Sequence, residues 1–224
     1  MKIFIIIKEN SERVNRKNFK LLGDMELWKH LVYELRNFDV YIDTDSSEIL
    51  DECSKLPWVT TYFREQRFID YEEHNDSNLS PALMMIDNFL DKYVENEDEI
   101  VVTTHVTSPF LKSSTILDAV SILKEDDKYD SIHSVTKHYE FSWLGDDMEP
   151  INFQPNVVQK TQDLPVITMS NGGFFIFRKK LFKQINNRIG KNPYYYTLNI
   201  PEDIEIDDNN DLELARLVEK GLCK

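Results

Sequence analysis

The chain has 224 residues, of which 41% are hydrophobic and 29% charged, and its formal net charge is −14. This composition is that of a globular protein rather than a disordered one, and the length suits one large α/β domain over residues 1–224. The acidic balance argues against nucleic acid as a partner, because phosphate backbones need clustered lysine and arginine. The longest apolar run, Ile3–Ile7, is too short to span a membrane, and Cys53 and Cys223 do not suggest a disulfide framework. We therefore expect a cytoplasmic protein.

Strands and helices are predicted to alternate along the chain. In its first half we predict a strand at Ile3–Ile7, a helix at Met25–Arg36, a strand at Val40–Ile42, a helix capped by Ser46, a strand at Trp58–Tyr62 and a helix opened by Ser80-Pro81. In its second half we predict strands at Ile100–Val102, Ser131–Thr136, Gly173–Phe177, Tyr194–Leu198 and Ile204–Asp207, with helices at Ser114–Leu123 and Leu212–Leu222. This pattern indicates a doubly wound, mostly parallel α/β sheet.

Two segments do not fit the alternation. Arg64–Asn78 is polar and is predicted to be a long loop of the kind that contacts ligands. Lys137–Asn171 is irregular, with three prolines and scattered aromatic residues. We expect it to be an insertion that leaves the sheet and serves as a lid or an oligomer contact.

The loop after the first predicted strand is cationic although the whole chain is acidic. It carries Lys8, Arg13, Arg16 and Lys17. Anionic ligands bind at the carboxyl end of the first strand of such a sheet, so these residues predict a cradle for a nucleotide triphosphate. Solvated surface charges are the alternative interpretation. The first glycine of the chain comes after this loop, which excludes a P-loop and the Gly-x-Gly dinucleotide motif.

Two carboxylates, Glu205 and Asp207, stand at alternate positions of the last predicted strand and would therefore share one face. Such a pair needs a cation, and Mg²⁺ bridging phosphate oxygens is the usual one. In the alternative interpretation, Asp207 caps the last helix and Glu205 is an exposed strand residue.

Asp43-Thr44-Asp45 is similar to the metal-binding Asp-x-Asp of nucleotide-sugar glycosyltransferases. A turn-and-cap role before Ser46 explains the same residues without a metal. His105, at the end of the fourth predicted strand, is well placed for a site, although a lone histidine is more often structural.

Five segments carry short motifs in a fixed order along almost the whole chain. They are Lys8–Asn18 with its closing Lys-Asn, Thr107-Ser108-Pro109, Asp130–Val135 (Asp-Ser-x-x-Ser-Val), Asn171–Phe177 (Asn-Gly-x-x-Phe-Ile-Phe) and Ile204–Asp207 with Asp211–Ala215. Together they resemble the acylneuraminate cytidylyltransferases, the family that includes the CMP-sialic acid and CMP-Kdo synthetases. Each motif is weak alone, and five in the right order form a strong signal.

The resemblance implies a nucleotidyltransferase that moves CMP from CTP to an acceptor and releases pyrophosphate. In the family, the Lys-Asn end of the first loop binds phosphate and cytosine, and two late carboxylates hold Mg²⁺. A serine at a helix start also reads the base. The family's dimers exchange the segment that matches Lys137–Asn171, and we expect a homodimer here too.

These expectations assign residues to four roles. The residues expected to stabilise pyrophosphate, and thus to be catalytic, are Lys8, Arg13 and Lys17. Those expected to bind the nucleotide are Ser11, Asn18, Ser80, His105 and a loop arginine, either Arg67 or Arg64, of which we take Arg67. Those expected to bind the acceptor are Lys160, Gln162 and Asn171, and Lys160 is also a candidate general base. The metal ligands are Glu205 and Asp207.

Three departures from the family pattern concern the acceptor more than the reaction. Lys8 stands where an arginine is usual, Glu205 is one methylene longer than the usual aspartate, and the arginine usually found after Thr-Ser-Pro is absent. We expect an acidic sugar, a nonulosonic acid or a related 2-keto acid. The alternatives are a non-sugar acid such as a phosphonate, a non-catalytic nucleotide-binding protein, and a glycosyltransferase that uses Asp43 and Asp45.

Overall fold

The computed structural model describes residues 1–74 and 80–222. The described strands are β1 (Lys2–Ile7), β2 (Leu21–Leu22), β3 (Met25–Glu26), β4 (Asp39–Thr44), β5 (Val59–Phe63), β6 (Ile100–Thr104), β7 (Ser131–His138), β8 (Trp143–Leu144), β9 (Glu149–Pro150), β10 (Ile167–Arg178) and β11 (Pro193–Thr197). The described helices are α1 (Leu27–Glu34), α2 (Ser47–Cys53), α3 (Gln66–His74), α4 (Pro81–Tyr93), α5 (Ser113–Glu125), α6 (Lys179–Ile185) and α7 (Asn209–Leu222), with 3-10 turns at Lys17–Phe19 and Thr161–Asp163.

A seven-stranded sheet forms the centre of the protein, in the order β11-β7-β10-β6-β1-β4-β5. Neighbouring strands pair in parallel, except that β10 runs antiparallel to both β6 and β7. Helices α1, α2 and α5 cover one face, and α3, α4 and α6 cover the other. This arrangement confirms the predicted doubly wound, mostly parallel α/β fold.

Strand β1 lies in the middle of the sheet and is apolar on both faces. Ile3 and Ile5 are fully buried with Leu31 of α1 on one side. On the other side Phe4 stacks on Phe89 of α4, with ring centroids 4.5 Å apart. Because both faces are covered, the carboxyl end of β1, from which the cationic loop departs, is fixed at the centre of the sheet.

Two predicted helix caps are confirmed. The Ser46 hydroxyl accepts a hydrogen bond from the Ile49 N–H, and the Ser80 hydroxyl accepts one from the Leu83 N–H. Pro81 follows Ser80 in the first turn, where its missing N–H has no helical partner to lose. Ser80 therefore fixes the start of α4.

The prediction of a loop at 64–78 is wrong for most of the residues that the structure describes there. Residues Gln66–His74 form α3, because Phe68 gives this polar segment one apolar position that is buried against the α4 face of the sheet. Residues 75–78 of that loop lie outside the described residues, as does Cys223.

The predicted insertion at 137–171 is irregular only in its middle. Strand β7 continues to His138 and β10 begins at Ile167, and these two ends pair with each other. The register shifts between Ser170 and Phe175, where the Asn-Gly-Gly segment bulges. The residues between the paired ends, 139–166, include the short β8–β9 hairpin and the Thr161–Asp163 turn, and we call them the arm.

Three smaller boundaries also differ from the prediction. Helix α1 begins at Leu27, because the two residues before it pair with β2. Helix α6, which was not predicted, follows β10 directly. The segment Ile204–Asp207 is not a strand but has no regular secondary structure, and the Ile206 N–H donates to the Thr107 carbonyl oxygen at 2.8 Å. Among the described residues, no helix combines the length and apolar character that crossing a membrane requires.

Candidate active site

A cavity of about 440 Å³ opens at the carboxyl ends of β1 and β6, beside the start of α4. Its polar lining includes Lys8, Ser11, Lys17, Asn18, Ser80, His105, Glu205 and Asp207. Ligands of open α/β sheets bind at this edge, beyond the carboxyl ends of the parallel strands. The fold thus brings the cationic loop and the two late carboxylates to one cavity.

Lys17 joins the two ends of the chain. Its side chain is largely buried, and its ammonium donates a hydrogen bond of 2.7 Å to the Ile206 carbonyl oxygen. The same ammonium lies 3.5 Å from one oxygen of Asp207, and Arg13 Nη1 lies 3.0 Å from the other. Arg13 lines a smaller adjoining pocket of about 200 Å³. Arg16 points elsewhere and pairs with Glu48.

Asn18 presents an unused acceptor in the cavity lining. Its amide nitrogen donates to the Lys8 carbonyl oxygen at 2.8 Å. Its carbonyl oxygen, Oδ1, is buried and has no hydrogen-bond partner among the described residues. A buried acceptor without a partner is costly, so this oxygen suits a ligand that brings an N–H donor, such as the exocyclic amine of a base.

Glu205 is held against the backbone of β10. A Cβ atom added at Gly172 would lie 2.5 Å from Glu205 Oε2, and Gly172 has a φ of +68°. Thr107 Oγ1 lies 3.4 Å from Glu205 Oε1 and donates to it. Burial raises the pKa of Glu205 above its usual value, and the charge of Asp207 raises it further.

Glu205 and Asp207 together suit a divalent cation. Crowded carboxylates gain most from a cation placed between them, and Mg²⁺ is commonly bound by one or two carboxylates plus phosphate oxygens. The described residues contain no group of three or more His, Cys, Asp or Glu side chains that could hold a metal by themselves. The ligand set would therefore be completed by oxygens of a bound nucleotide.

The N-terminus of α7 is capped by Asp208, not by Asp207. Asp208 Oδ1 accepts hydrogen bonds from the N–H groups of Asn210 and Asp211, at 2.7 and 3.1 Å. The interpretation of Asp207 as a cap is therefore wrong. Its side chain faces Arg13 and Lys17 instead.

His105 lines the cavity as a neutral imidazole. Burial lowers its pKa to about 4, and the positive charges of Arg188 and Lys17 contribute to the shift. At neutral pH it can offer a hydrogen bond without adding charge.

The Asp43-Thr44-Asp45 segment is engaged by an arginine. Arg64 is completely buried; its Nε donates to Asp43 Oδ1 at 2.6 Å, and its Nη1 lies 3.6 Å from Asp45 Oδ2. The other Asp45 oxygen accepts from the Glu9 N–H at 2.7 Å. Because these contacts occupy both carboxylates, the structure gives no support to a metal-binding Asp-x-Asp here.

Of the two candidate loop arginines, Arg64 lies beneath the site and Arg67 lies on the surface. Arg64 Nη1 donates to Glu72 Oε2 at 3.0 Å, and the other Glu72 oxygen pairs with Lys8 at 2.9 Å. Arg67 contacts Glu65 and Asn88 and is absent from the described cavity lining. The structure therefore does not bring the predicted nucleotide ligand Arg67 to the cavity.

The three predicted acceptor residues are also absent from the cavity lining that the structure describes. Asn171 is buried and bonds to Ser134 and Thr136. Lys160 and Gln162 are exposed at the Thr161–Asp163 turn of the arm.

Sequence reasoning missed Glu72, Gly172 and Arg188 as neighbours of the site. Glu72 lies in the helix that replaced a predicted loop. Gly172 belongs to a recognised motif, but its positive φ and its contact with Glu205 are visible only in three dimensions. Arg188 lies in the loop between α6 and β11, and no motif marks it.

A protein-family model described as "Cytidylyltransferase" matches residues 4–221 of the chain. The chain is 26% identical over 216 residues to N-acylneuraminate cytidylyltransferase A of Danio rerio, and 25% identical over 218 residues to the B protein of that fish. The alignments cover 90% and 93% of this chain and 48% of each relative. The chain thus spans about half the length of the curated relatives it matches.

Solved structures of low sequence identity share the fold. A CMP:2-keto-3-deoxy-manno-octonic acid synthetase complexed with CTP superimposes with a TM-score of 0.68 at 11% identity, covering 98% of both chains. The 2-C-methyl-D-erythritol 4-phosphate cytidylyltransferase of Francisella tularensis superimposes with a TM-score of 0.65 at 12% identity, covering 97% of this chain and 99% of the other.

Proposed function

Because this chain belongs to the cytidylyltransferase family, we propose that it transfers CMP from CTP to an acidic sugar and releases pyrophosphate. The family assignment agrees with the resemblance of the five sequence motifs. The observation that carries the proposal is the meeting of Lys8, Lys17, Glu205 and Asp207 around one cavity. Positive charge for a triphosphate and carboxylates for its cation stand together there.

In the proposed reaction, an acceptor hydroxyl attacks the α-phosphorus of CTP. The new P–O bond joins CMP to the acceptor, the bond to the β-phosphate oxygen breaks, and the hydroxyl proton leaves to solvent. Lys8, Arg13 and Lys17 neutralise the phosphate oxygens and the charge that builds on departing pyrophosphate. The reaction asks for no protein nucleophile.

Glu205 and Asp207 are the residues that would hold Mg²⁺. When bound, the ion supplies neutralisation of the phosphate charge. Thr107 and Gly172 position the Glu205 carboxylate for this role.

The base-binding side of the site favours cytosine. Asn18 Oδ1 is a buried acceptor, and the exocyclic amine of cytosine is a donor. Uracil presents a carbonyl oxygen at the same position and would leave Asn18 Oδ1 facing another acceptor. This contrast supports CTP over UTP as the donor.

An acidic sugar is supported by the Danio rerio relatives, named for an acylneuraminate, and by the synthetase named for 2-keto-3-deoxy-manno-octonic acid. The Francisella tularensis structure is named for a different acceptor, 2-C-methyl-D-erythritol 4-phosphate. The acceptor site would be completed by a second copy of the chain, whose arm would bring Lys160 and Gln162. Large apolar side chains are exposed on the arm at Trp143, Leu144, Met148, Ile151 and Val158. Burial of such a patch in a homodimer would remove it from water.

Pyrophosphate release tests the function. Each of the four nucleoside triphosphates is incubated with Mg²⁺ and a panel that includes nonulosonic acids, Kdo and a phosphonate. We expect release with CTP and an acidic sugar. Release with the phosphonate alone would change the acceptor class. CTP binding without release on any acceptor would favour a non-catalytic protein.

A further inference from the structure

Three aromatic rings form a row across the sheet beside the cavity. Strand register places Phe175 of β10 opposite His133 of β7, and His133 opposite Tyr195 of β11. The Phe175 and His133 rings stack with centroids 4.3 Å apart, and both residues are buried. His133 Nε2 is hydrogen-bonded to Ser170 Oγ at 2.7 Å.

Arg188 lies on this row. The centre of its guanidinium is 3.5 Å from the centroid of the Phe175 ring. The side chain is half-buried, and the described residues provide it with no ion pair and no hydrogen bond. Burial lowers its pKa to about 10, so it stays charged at neutral pH. The charge of Glu205 acts on Arg188 from beyond ion-pair distance, so the guanidinium edge still has room for an anion that arrives with a ligand.

Strand register relates Arg188 to the cavity: Arg188 stacks on Phe175, which pairs with Thr103, two residues before the cavity residue His105. The charge of Arg188 reaches His105, and Arg188 feels the charge of Glu205; both residues line the cavity. Thr103 of β6 lies opposite Phe175, and its buried hydroxyl has no partner among the described residues. The Thr103 hydroxyl is thus an unpaired polar group between His105 and Phe175.

Arg188 stacks on Phe175 outside the cavity lining that the structure describes, on the side of the sheet away from the triphosphate cations. Those cations leave the end of β1, and Phe175 belongs to β10, two strands away. At ~4.8 Å per strand this separation is about 10 Å across the sheet. A nucleotide held by Lys8 and Lys17 leaves the Arg188 side for the second substrate.

We propose that Arg188 binds the carboxylate of the acceptor, a claim that rests on the proposed function. The Phe175 ring supports one flat face of the guanidinium, so the N–H groups at its edge are free to pair with both oxygens of a carboxylate. Such a site selects acids over neutral sugars and over esters. It places the carboxylate on the β10–β7 side, with the attacking hydroxyl towards Glu205.

The test compares Arg188→Gln, which removes the charge, with Arg188→Lys, which keeps it without the planar fork. Lys191→Gln is the control, since it removes an exposed charge from the same loop. Circular dichroism and the thermal midpoint check that each variant folds. Binding of N-acetylneuraminate, Kdo and their methyl esters is measured by calorimetry, with and without CTP.

We expect the wild type and Lys191→Gln to bind at least one acid and to reject its ester. Arg188→Gln should bind that acid roughly 10- to 100-fold more weakly and lose the discrimination against the ester. The affinity of Arg188→Lys for the acid should lie between those of the wild type and Arg188→Gln. CTP affinity should be unchanged in all variants.

Undiminished acid binding in Arg188→Gln would overturn the assignment, as would a wild type that binds neither acid. A weaker affinity for CTP alone would place Arg188 on the nucleotide and overturn it too. Failure of the proposed function is seen separately, as absence of CTP binding or of pyrophosphate release in the wild type.

Discussion

The Lys17 ammonium lies 3.5 Å from the Asp207 carboxylate, although the two residues come from near opposite ends of the chain. The contact is reinforced by the hydrogen bond from Lys17 to the Ile206 carbonyl oxygen. The proposed phosphate-binding cation and the proposed metal-binding carboxylate are therefore positioned by each other. Both side chains line the same cavity.

Replacing Lys17 by alanine should remove activity and preserve the fold. Its charge is directed at the cavity, so kcat/KM for CTP should fall by about 100-fold or more. Lys20→Ala is the control, because Lys20 is close in sequence but exposed. The measurement is pyrophosphate release with thermal melting in parallel. Equal turnover in both variants would remove the cationic loop from the mechanism.

Asp207→Asn and Asp208→Ala should have opposite effects. Asp207→Asn should raise the Mg²⁺ concentration for half-maximal activity, with a stability change within about 1 kcal/mol, since its ion pairs are partly exposed. Asp208→Ala should cost about 1 kcal/mol of stability through the lost cap and leave the Mg²⁺ requirement unchanged. Mg²⁺ titrations and urea unfolding of both variants measure this contrast. Identical Mg²⁺ curves for wild type and Asp207→Asn would argue against a metal role.

Gly172→Ala should impair activity by displacing Glu205. Gly145→Ala is a matched control, because Gly145 also has a positive φ, of +65°, but nothing lies within 4 Å of its added Cβ. Both changes should cost about 1–2 kcal/mol for the left-handed backbone. Only Gly172→Ala should lose activity, and its loss of stability should exceed the backbone cost that the two variants share. Similar activity in the two variants would mean that the contact between Gly172 and Glu205 does not contribute to function.

Stability should fall between about pH 6.5 and pH 4 because of His133. Burial lowers its pKa to about 4, with the charge of Arg188 adding to the effect. In that window the unfolded chain binds a proton that the folded chain does not, so acid favours unfolding. In His133→Phe, which keeps a ring beside Phe175, the loss of stability from pH 7 to pH 5 should be smaller by roughly 1–2 kcal/mol. Urea unfolding of both proteins at pH 7 and pH 5 provides the test. An equal loss of stability in the wild type and in His133→Phe would contradict the prediction.

Leu144→Glu should weaken the proposed homodimer. Leu144 is 63% exposed on the arm, and a buried carboxylate at an apolar contact is unfavourable. Leu117→Glu, at an exposed position of α5, is the control. Sedimentation should show a dimer for the wild type and the control, and a monomer for Leu144→Glu. A wild type that sediments as a monomer would contradict the proposed dimer.

The central sheet could be predicted because its information is local. The continuous apolar runs at β1 and β6 are typical of buried strands and identify them directly. Ser80-Pro81 identifies a helix start. The polar helix α3 could not be predicted in this way. Phe68 is buried, but Ile69 is only partly buried and Tyr71 is exposed, so the apolar pattern of this polar segment is too short to identify a helix.

The candidate site was predictable where motifs carried it, as at Lys17, Asn18 and Asp207. The choice between Arg64 and Arg67 was not, because both are arginines in one polar stretch and only packing buries Arg64. Arg188 could not be found at all. Its relation to the cavity depends on the antiparallel insertion of β10 between β6 and β7.

Lys8 pairs with Glu72 and Arg13 with Asp207, so binding of the proposed nucleotide would be an exchange of partners. The protein's own carboxylates act as internal counter-ions for the cations that would receive phosphate. An incoming anion would have to displace these carboxylates, so the proposed triphosphate, with several charges, would compete better than a singly charged ion such as chloride. The ion pairs of the first loop would therefore make the proposed site selective.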